Sequence, residues 1–292
     1  MTSSPKRVAI VIPGFSGGGI ERSLLELAEG MISRGLMVDL IVGYDHGDLR
    51  SEVPRQANVF PTALGKWRPA RKLSLMADPI SFPLLFRDKM AALAPMDSMR
   101  RLQSMVEHFK TLKPDGIVAA EATYNVLAVW AKRIARLRSR VVLSEHIQIS
   151  MHSKLQGPWG NPELYGMLRR AYRRADGIVA VSNGVADDMS DYARLRRNRI
   201  TTIYNPVVGP KLDARAKEPV DHPKFAPGQP PVILGAGRLD RQKDFATLLR
   251  AFAELRATDP ASLAKNDQGC GLSDSDSPDS CLVDSKLRLT GD

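Results

Sequence analysis

The sequence predicts an α/β fold built on a parallel sheet, and three observations carry that expectation. Short β-branched runs recur along the first two thirds of the chain, amphipathic helix patterns lie between most of them, and a fresh strand-and-helix unit follows a proline-rich stretch. Apolar runs without polar alternation fit strands covered on both faces. Strands that alternate with helices imply βαβ units and right-handed crossovers.

Six runs read as strands in order: "RVAIVIP" (7–13), "MVDLIVGY" (37–44), "DGIVAA" (115–120), "RVVLSE" (140–145), "DGIVAVS" (176–182) and "ITTIYNP" (200–206). A helix follows the first, with Ile20, Leu24, Leu27, Ala28 and Met31 on one face. Another precedes the fourth, with Val126, Val129, Trp130, Ile134 and Leu137 as its apolar face. Residues 45–114 are less regular and read as one strand near Val59 with one or two helices. Ser182-Asn183-Gly184 reads first as a helix cap, and Asn205-Pro206 as a hinge where proline ends the ladder.

Beyond the hinge, residues 211–230 read as a polar, proline-rich linker. "PPVILGAGRL" then reads as strand and turn, and "DFATLLRAFAELRA" as a helix with Phe245, Leu248, Leu249 and Phe252 on one side. Residues 261–285, rich in Ser and Asp, show no apolar period and read as disordered or aberrant. "KLRLTGD" (286–292) reads as a residual strand. The expected organisation is therefore a first domain over 1–205 and the start of a second over 206–260. An open parallel sheet typically has about five or six strands, so the second domain reads as incomplete.

The chain has 292 residues, 43% hydrophobic and 25% charged, as an ordinary globular protein does. No secretory pattern and no membrane-spanning run is visible. Cys270 and Cys281 fall in no metal or redox spacing, which makes a reducing cytoplasm the default. The net charge of +10 is concentrated in "KRIARLRSR" (132–140), "LRRAYRR" (168–174) and "RLRRNR" (194–199). Solvated helix faces are the plain reading of these clusters. Peripheral attraction to the anionic inner face of a membrane comes next. Nucleic acid comes last, because no recognition motif accompanies the charge.

"IPGFSGGGIERSLLELAEGMISRG" (12–35) poses the sharpest question about function. A strand that ends in glycines and opens a helix is the sequence form of an anion cradle. Gly17, Gly18 and Gly19 occupy that position, with Glu21 and Arg22 in the first helical turn. A tight turn without a ligand is the plain alternative, although three adjacent glycines exceed its needs. The dinucleotide fingerprint fails, because Arg22 stands where its third glycine belongs, and no P-loop Gly-Lys-Ser/Thr is present.

Five segments together resemble the retaining glycosyltransferases of GT-B architecture, family 4. "GGGIERSLLELAEGMISRGLMVDLIV" is similar to the family's glycine loop and first helix, and "VVLSEH" to the strand that ends in a cleft histidine. "RRADGIVAVSNGVADDM" resembles the segment that closes the first domain, "ITTIYNPV" the crossing to the second, and "ILGAGRLDRQKDFATLLRAFAEL" the donor-site strand, basic loop and helix. The resemblance implies two Rossmann-like domains across a cleft, the first for the acceptor and the second for a nucleoside-diphosphate sugar. It places Gly17 and Gly18 at the transferred sugar and diphosphate, with Gly19 in support, and His146 near the sugar ring. A structural role for His146 stays open, as does whether Glu145 orients its imidazole or faces away. Arg238 and Lys243 flank a strand-to-helix turn, where two cations and a helix dipole can hold the charge that gathers on a leaving diphosphate. Solvated loop charges are the plain alternative. No metal or other cofactor is expected.

The resemblance implies transfer of a hexose-type sugar from a nucleoside-diphosphate sugar to a glycan or lipid-linked acceptor, with retention, in polysaccharide biosynthesis. Members also carry a pair of glutamates seven residues apart beyond the basic loop, and Asp259, Asp267, Asp274 and Asp276 do not match that spacing. The donor site therefore reads as half built and the chain as a truncated, impaired enzyme. The rival reading is a non-catalytic remnant whose first domain binds an acceptor or partner. A nucleotide-sugar epimerase or dehydrogenase is disfavoured by the failed fingerprint and the missing Tyr-x-x-x-Lys dyad.

Overall fold

The computed structural model describes residues 6–81, 98–151, 162–226, 228–229, 232–237, 239 and 243–258. Two compact units divide the chain, Met1–Gly209 and Pro210–Asp292.

The first unit is built on seven strands: β1 (Arg7–Ile12), β2 (Met37–Val42), β3 (Asn58–Pro61), β4 (Gly116–Ala120), β5 (Arg140–Glu145), β6 (Gly177–Ala180) and β7 (Ile200–Thr202). All six pairings are parallel, and the strands lie in the order β3-β2-β1-β4-β5-β6-β7. Each expected β-branched run of this region is a strand, and the α/β fold with a parallel sheet stands as expected. β7 ends sooner than its run, and the apolar residues after it, Ile203 and Tyr204, are exposed.

Among the described residues, six α-helices belong to this unit: α1 (Gly19–Ile32), α2 (Trp67–Ala77), α3 (Leu102–Leu112), α4 (Ala122–Ile134), α5 (Pro162–Arg173) and α6 (Asn183–Tyr192). Helix α1 packs with β1 and β2 in a cluster containing Phe15, Leu24, Leu25 and Ala28. A larger cluster joins α3, α4, α5 and α6 through Phe109, Trp130, Tyr172 and Met189. Two expected helix faces need correction. In α1, Leu25 is buried while Leu27 is 37% exposed. In α4 every residue from Ala122 to Ala131 is buried, because α3 and α5 flank it and the sheet lies beneath it, so it has no single apolar face.

A buried ion pair ties the end of α2 to α5. Asp78 has a fully buried side chain and receives Arg170 Nε on both carboxylate oxygens, at 2.9 and 2.8 Å. Breaking such a pair leaves an uncompensated charge and costs about 3–5 kcal/mol.

The second unit contains α7 (Pro210–Arg215) and α8 (Phe245–Thr258). The helix expected at 244–257 is α8. Of the strand expected at "PPVILGAGRL", the described residues 232–237 carry no strand pairing, with Ile233 57% and Leu234 62% exposed. An apolar run becomes a strand only beside another, and the described residues of this unit contain no strand. Residues 261–285 and 286–292 lie outside the described residues.

Candidate functional site

The strand order reverses direction between β1 and β4, since the chain moves outward to β2 and β3 on one side and to β5, β6 and β7 on the other. Open α/β sheets bind ligands outside the carboxyl ends of their strands at this switch point. The glycine loop follows β1, Glu121 follows β4, and Glu145 ends β5 with His146 just after it, so all three segments meet that edge.

The three glycines have different reasons to be glycine. Gly17 has φ +90°, a left-handed conformation that side chains rarely adopt. At Gly18, a Cβ would lie 2.3 Å from Glu21 Oε2, so the carboxylate occupies the space. At Gly19 a Cβ would meet nothing within 4 Å, and φ is not left-handed. The tight-turn explanation thus covers Gly17; at Gly18 the obstacle is the movable end of a side chain, and at 19 neither backbone nor packing requires glycine. Gly18 is the N-cap of α1 and no side chain caps it. The N-cap residue thus supplies no acceptor to the first N–H groups of the helix, the groups that an anion site uses. Behind the loop, Pro13 O accepts from Tyr44 N at 3.0 Å and Phe15 O from Leu49 N at 3.0 Å, which fixes its course.

Two carboxyl groups not singled out as site residues also stand here. Glu21 is buried and accepts a bond from Ser16 Oγ at 3.2 Å. Glu121 has φ +76° and caps α4, accepting from Tyr124 N at 3.3 Å and from Thr123 Oγ1 at 3.2 Å. Burial raises the Glu121 pKa, its capping bonds oppose the rise, and the charge of Glu21 adds to it. The available signal for both was position alone: one follows a glycine loop, and the other closes a strand before an apolar helix. Among the described residues no group of three or more His, Cys, Asp or Glu side chains is arranged to hold a metal ion.

His146 and Glu145 point to opposite faces, as successive strand residues do. His146 Nε2 lies 3.1 Å from Ser144 Oγ, on its own face of β5. Burial lowers the His146 pKa, which keeps the imidazole neutral near neutral pH. Its Nδ1 is buried without a hydrogen-bond partner. The segment after it is tied down by Asp188 of α6, which accepts from Ser150 N at 3.2 Å and from Ser150 Oγ.

Glu145, expected at the substrate, is instead a core residue. It is 1% exposed and accepts from Asn125 Nδ2 at 2.9 Å and from the Tyr172 hydroxyl. Desolvation, reinforced by the charge of Glu121, raises its pKa well above the usual carboxylate range. Ser144, not Glu145, is the side chain that meets the imidazole. Ser182 caps α6 as expected, accepting from Val185 N at 3.2 Å.

Of the two expected cations, Arg238 lies outside the described residues. Lys243 is exposed in the turn before α8. A Cβ on Gly237 would meet Lys243 Cγ at 3.3 Å, so the lysine stem runs along that glycine. Lys243 belongs to the second unit, whereas the glycine loop and His146 belong to the first.

The fold and this edge define a Rossmann-like parallel-sheet domain. A sequence model described as Glycosyltransferase Family 4 matches residues 17–208. The chain belongs to that family, and its first unit is the parallel-sheet domain of a GT-B glycosyltransferase. No curated protein matches the chain in sequence. Among solved structures, sucrose-phosphate synthase from Thermosynechococcus elongatus is similar at 16% identity and TM-score 0.54, covering 86% of this chain and 60% of that one. A glycosyltransferase from Rickettsia africae is similar at 16% identity and TM-score 0.49, covering 87% and 59%. HepE of Anabaena, in complex with UDP and glucose, is similar at 17% identity and TM-score 0.44, covering 72% and 50%. The chain thus spans between half and three fifths of the length of these three structures.

Proposed function

We propose that this chain supplies the acceptor-side domain, and the first part of the donor site, of a retaining glycosyltransferase that uses a nucleoside-diphosphate sugar. The observation that carries the reading is Gly19. It is a glycine that neither conformation nor packing demands, at an uncapped helix start on the switch point of a parallel sheet. Such a position admits a phosphate or sugar oxygen against the backbone. His146, neutral and on the second strand over from β1, lies about 10 Å across the edge by strand spacing, a sugar's width from the loop.

In this reading Gly17, Gly18 and Gly19 face the transferred sugar and its diphosphate. His146 exchanges a hydrogen bond with a sugar hydroxyl through an imidazole that carries no charge. Arg238 and Lys243 hold the charge that gathers on the departing diphosphate, while the acceptor hydroxyl attacks from the same face. The acceptor is a glycan or lipid-linked sugar, and the setting is polysaccharide synthesis in the cytoplasm. No metal is needed for the chemical step, because fixed cations and a helix dipole do its work. The unpaired 232–237 segment favours weak transfer by this chain acting alone.

Equilibrium titration with UDP and GDP, set against uridine and guanosine, tests the reading. Binding that requires the diphosphate and weakens in His146→Ala or Gly19→Val supports it. Equal binding of nucleoside and diphosphate, or none of either, overturns it in favour of a non-catalytic remnant.

A further inference from the structure

We propose that the edge of the first unit where the strands begin is a docking surface for anionic membranes. Strands β5, β6 and β7 are consecutive neighbours, so their starts lie about 4.8 Å apart along one edge. The turns that feed them follow the ends of α4, α5 and α6, at Ile134, Arg173 and Tyr192. Three separate arginine clusters of the sequence are thereby brought side by side.

Eight of these arginines are exposed: Arg133, Arg136, Arg138, Arg140, Arg173, Arg194, Arg196 and Arg199. None of the eight has an ion-pair partner among the described residues. Nearby, Lys132 pairs with Asp176 at 2.9 Å and Arg197 with Asp187 at 2.6 Å, and Arg199 donates to the carbonyls of Arg173 and Ala175. The acids are engaged too. Asp115 accepts from Arg7 N and Asp176 from Val141 N, which leaves exposed Asp191 at the end of α6 as the main opposing charge. Desolvation, and then the neighbouring charges of Arg173 and Arg194, lower the Arg169 pKa, so the positive groups of α5 and the α6–β7 turn lie within each other's field.

Helix dipoles account for only part of this pattern. Arg133 and Arg173 sit in last helical turns, where a cation is favoured. Arg136, Arg138, Arg194 and Arg196 lie beyond the helix ends. Arg136 and Arg194 adopt φ of +56° and +48° just past their helices, the place where glycine is the usual residue. Two arginines thus hold positions that conformation alone would give to glycine. The charges are spread over three turns instead of converging on one pocket, which fits an extended anionic surface better than a single phosphate. Nucleic acid lacks any recognition motif here. This edge is opposite the carboxyl ends of the strands, so docking leaves the candidate site uncovered.

Co-sedimentation of the whole chain with phosphatidylglycerol-containing vesicles, against vesicles of phosphatidylcholine alone, tests the proposal. Binding is expected only to the anionic vesicles and is expected to fall with salt. The triple variant Arg136→Gln, Arg138→Gln, Arg194→Gln should bind about a hundredfold more weakly, each lost cation counting for roughly a factor of five. The variant Lys66→Gln, Arg68→Gln, Lys72→Gln removes the same charge from the opposite edge and α2 and should bind nearly as the parent does. Lysine at 136, 138 and 194 should restore binding, which separates loss of charge from loss of fold. Equal binding to neutral vesicles, or equal losses in the two glutamine variants, overturns the proposal. Tighter binding to duplex DNA or RNA with the same dependence on 136, 138 and 194 also overturns it. The measurement involves no sugar transfer, so its failure leaves the proposed reaction untouched.

Discussion

Replacing Gly19 by alanine separates a glycine kept for folding from one kept for a ligand. Gly19 is the first residue of α1, its Cβ would meet nothing within 4 Å, and its φ is not left-handed. Alanine therefore adds no clash and narrows the unfolded ensemble, which stabilises by about 0.4–1 kcal/mol. In a unit of this size that raises the melting temperature by about 1–4 °C. Gly17→Ala is the internal contrast, because its φ of +90° is a conformation that alanine resists. That change should destabilise the protein by about 1–2 kcal/mol. Differential scanning calorimetry with and without UDP or GDP reads both effects in one experiment. The expected result is that Gly19→Ala melts higher than the parent but loses most of the extra stabilisation that nucleoside diphosphate provides. If Gly19→Ala melts lower, the space assigned to that position is wrong. If it melts higher and responds fully to diphosphate, the open position is not the ligand's.

Four further outcomes follow from buried titratable groups. The His146 imidazole should titrate below its ordinary value of 6.5 in proton NMR, because burial disfavours the cation. Its folded pKa lies below the unfolded one, so its contribution to stability is full above the unfolded value and is lost as pH falls through the folded value. Glu145 has the opposite sign: its folded pKa is raised, so stability is full below the unfolded value and declines as pH rises toward the folded one. Urea unfolding should therefore show Glu145→Gln gaining on the parent as pH rises to the alkaline side, with the gap closing as pH falls. Glu145→Ala should instead cost about 1–3 kcal/mol, since Asn125 and Tyr172 lose a partner. Asp78→Ala should cost about 3–5 kcal/mol in the same assay, because Arg170 is left facing a buried gap.

The seven strands were legible because a sheet covered on both faces demands unbroken apolar runs, and Val8–Ile12 or Val141–Leu143 contain little else. Helix α4 was legible as a helix but not as a fully buried one. Burial all round comes from the neighbours α3 and α5, which no local period reports. The same limit explains 232–237, where the local run is strand-like and the partner that would make it a strand is missing among the described residues. At the site, the glycines and His146 announce themselves by type and position. Glu145 misleads, because adjacent residues at a strand end face opposite ways and nothing local says which faces the ligand. Glu21 and Glu121 escaped notice for a related reason. One is an ordinary first-turn acid and the other an ordinary cap until the sheet order sets β1 beside β4. The arginines of 133–138, 173 and 194–196 likewise read as three solvated helix ends until the strand order aligns their turns on one edge.

The central claim is that the carboxyl edge of the first sheet receives a sugar diphosphate between the glycine loop and His146. Amide and imidazole NMR shifts, followed while UDP or GDP is added to the isotope-labelled chain, test it most directly. The account predicts that the largest changes fall on the amides of Gly18, Gly19 and Ile20 and on the ring of His146, and that the nucleosides without phosphate fail to produce them. Changes centred on the strand-start edge, or a glycine loop that stays silent at saturation, would contradict it.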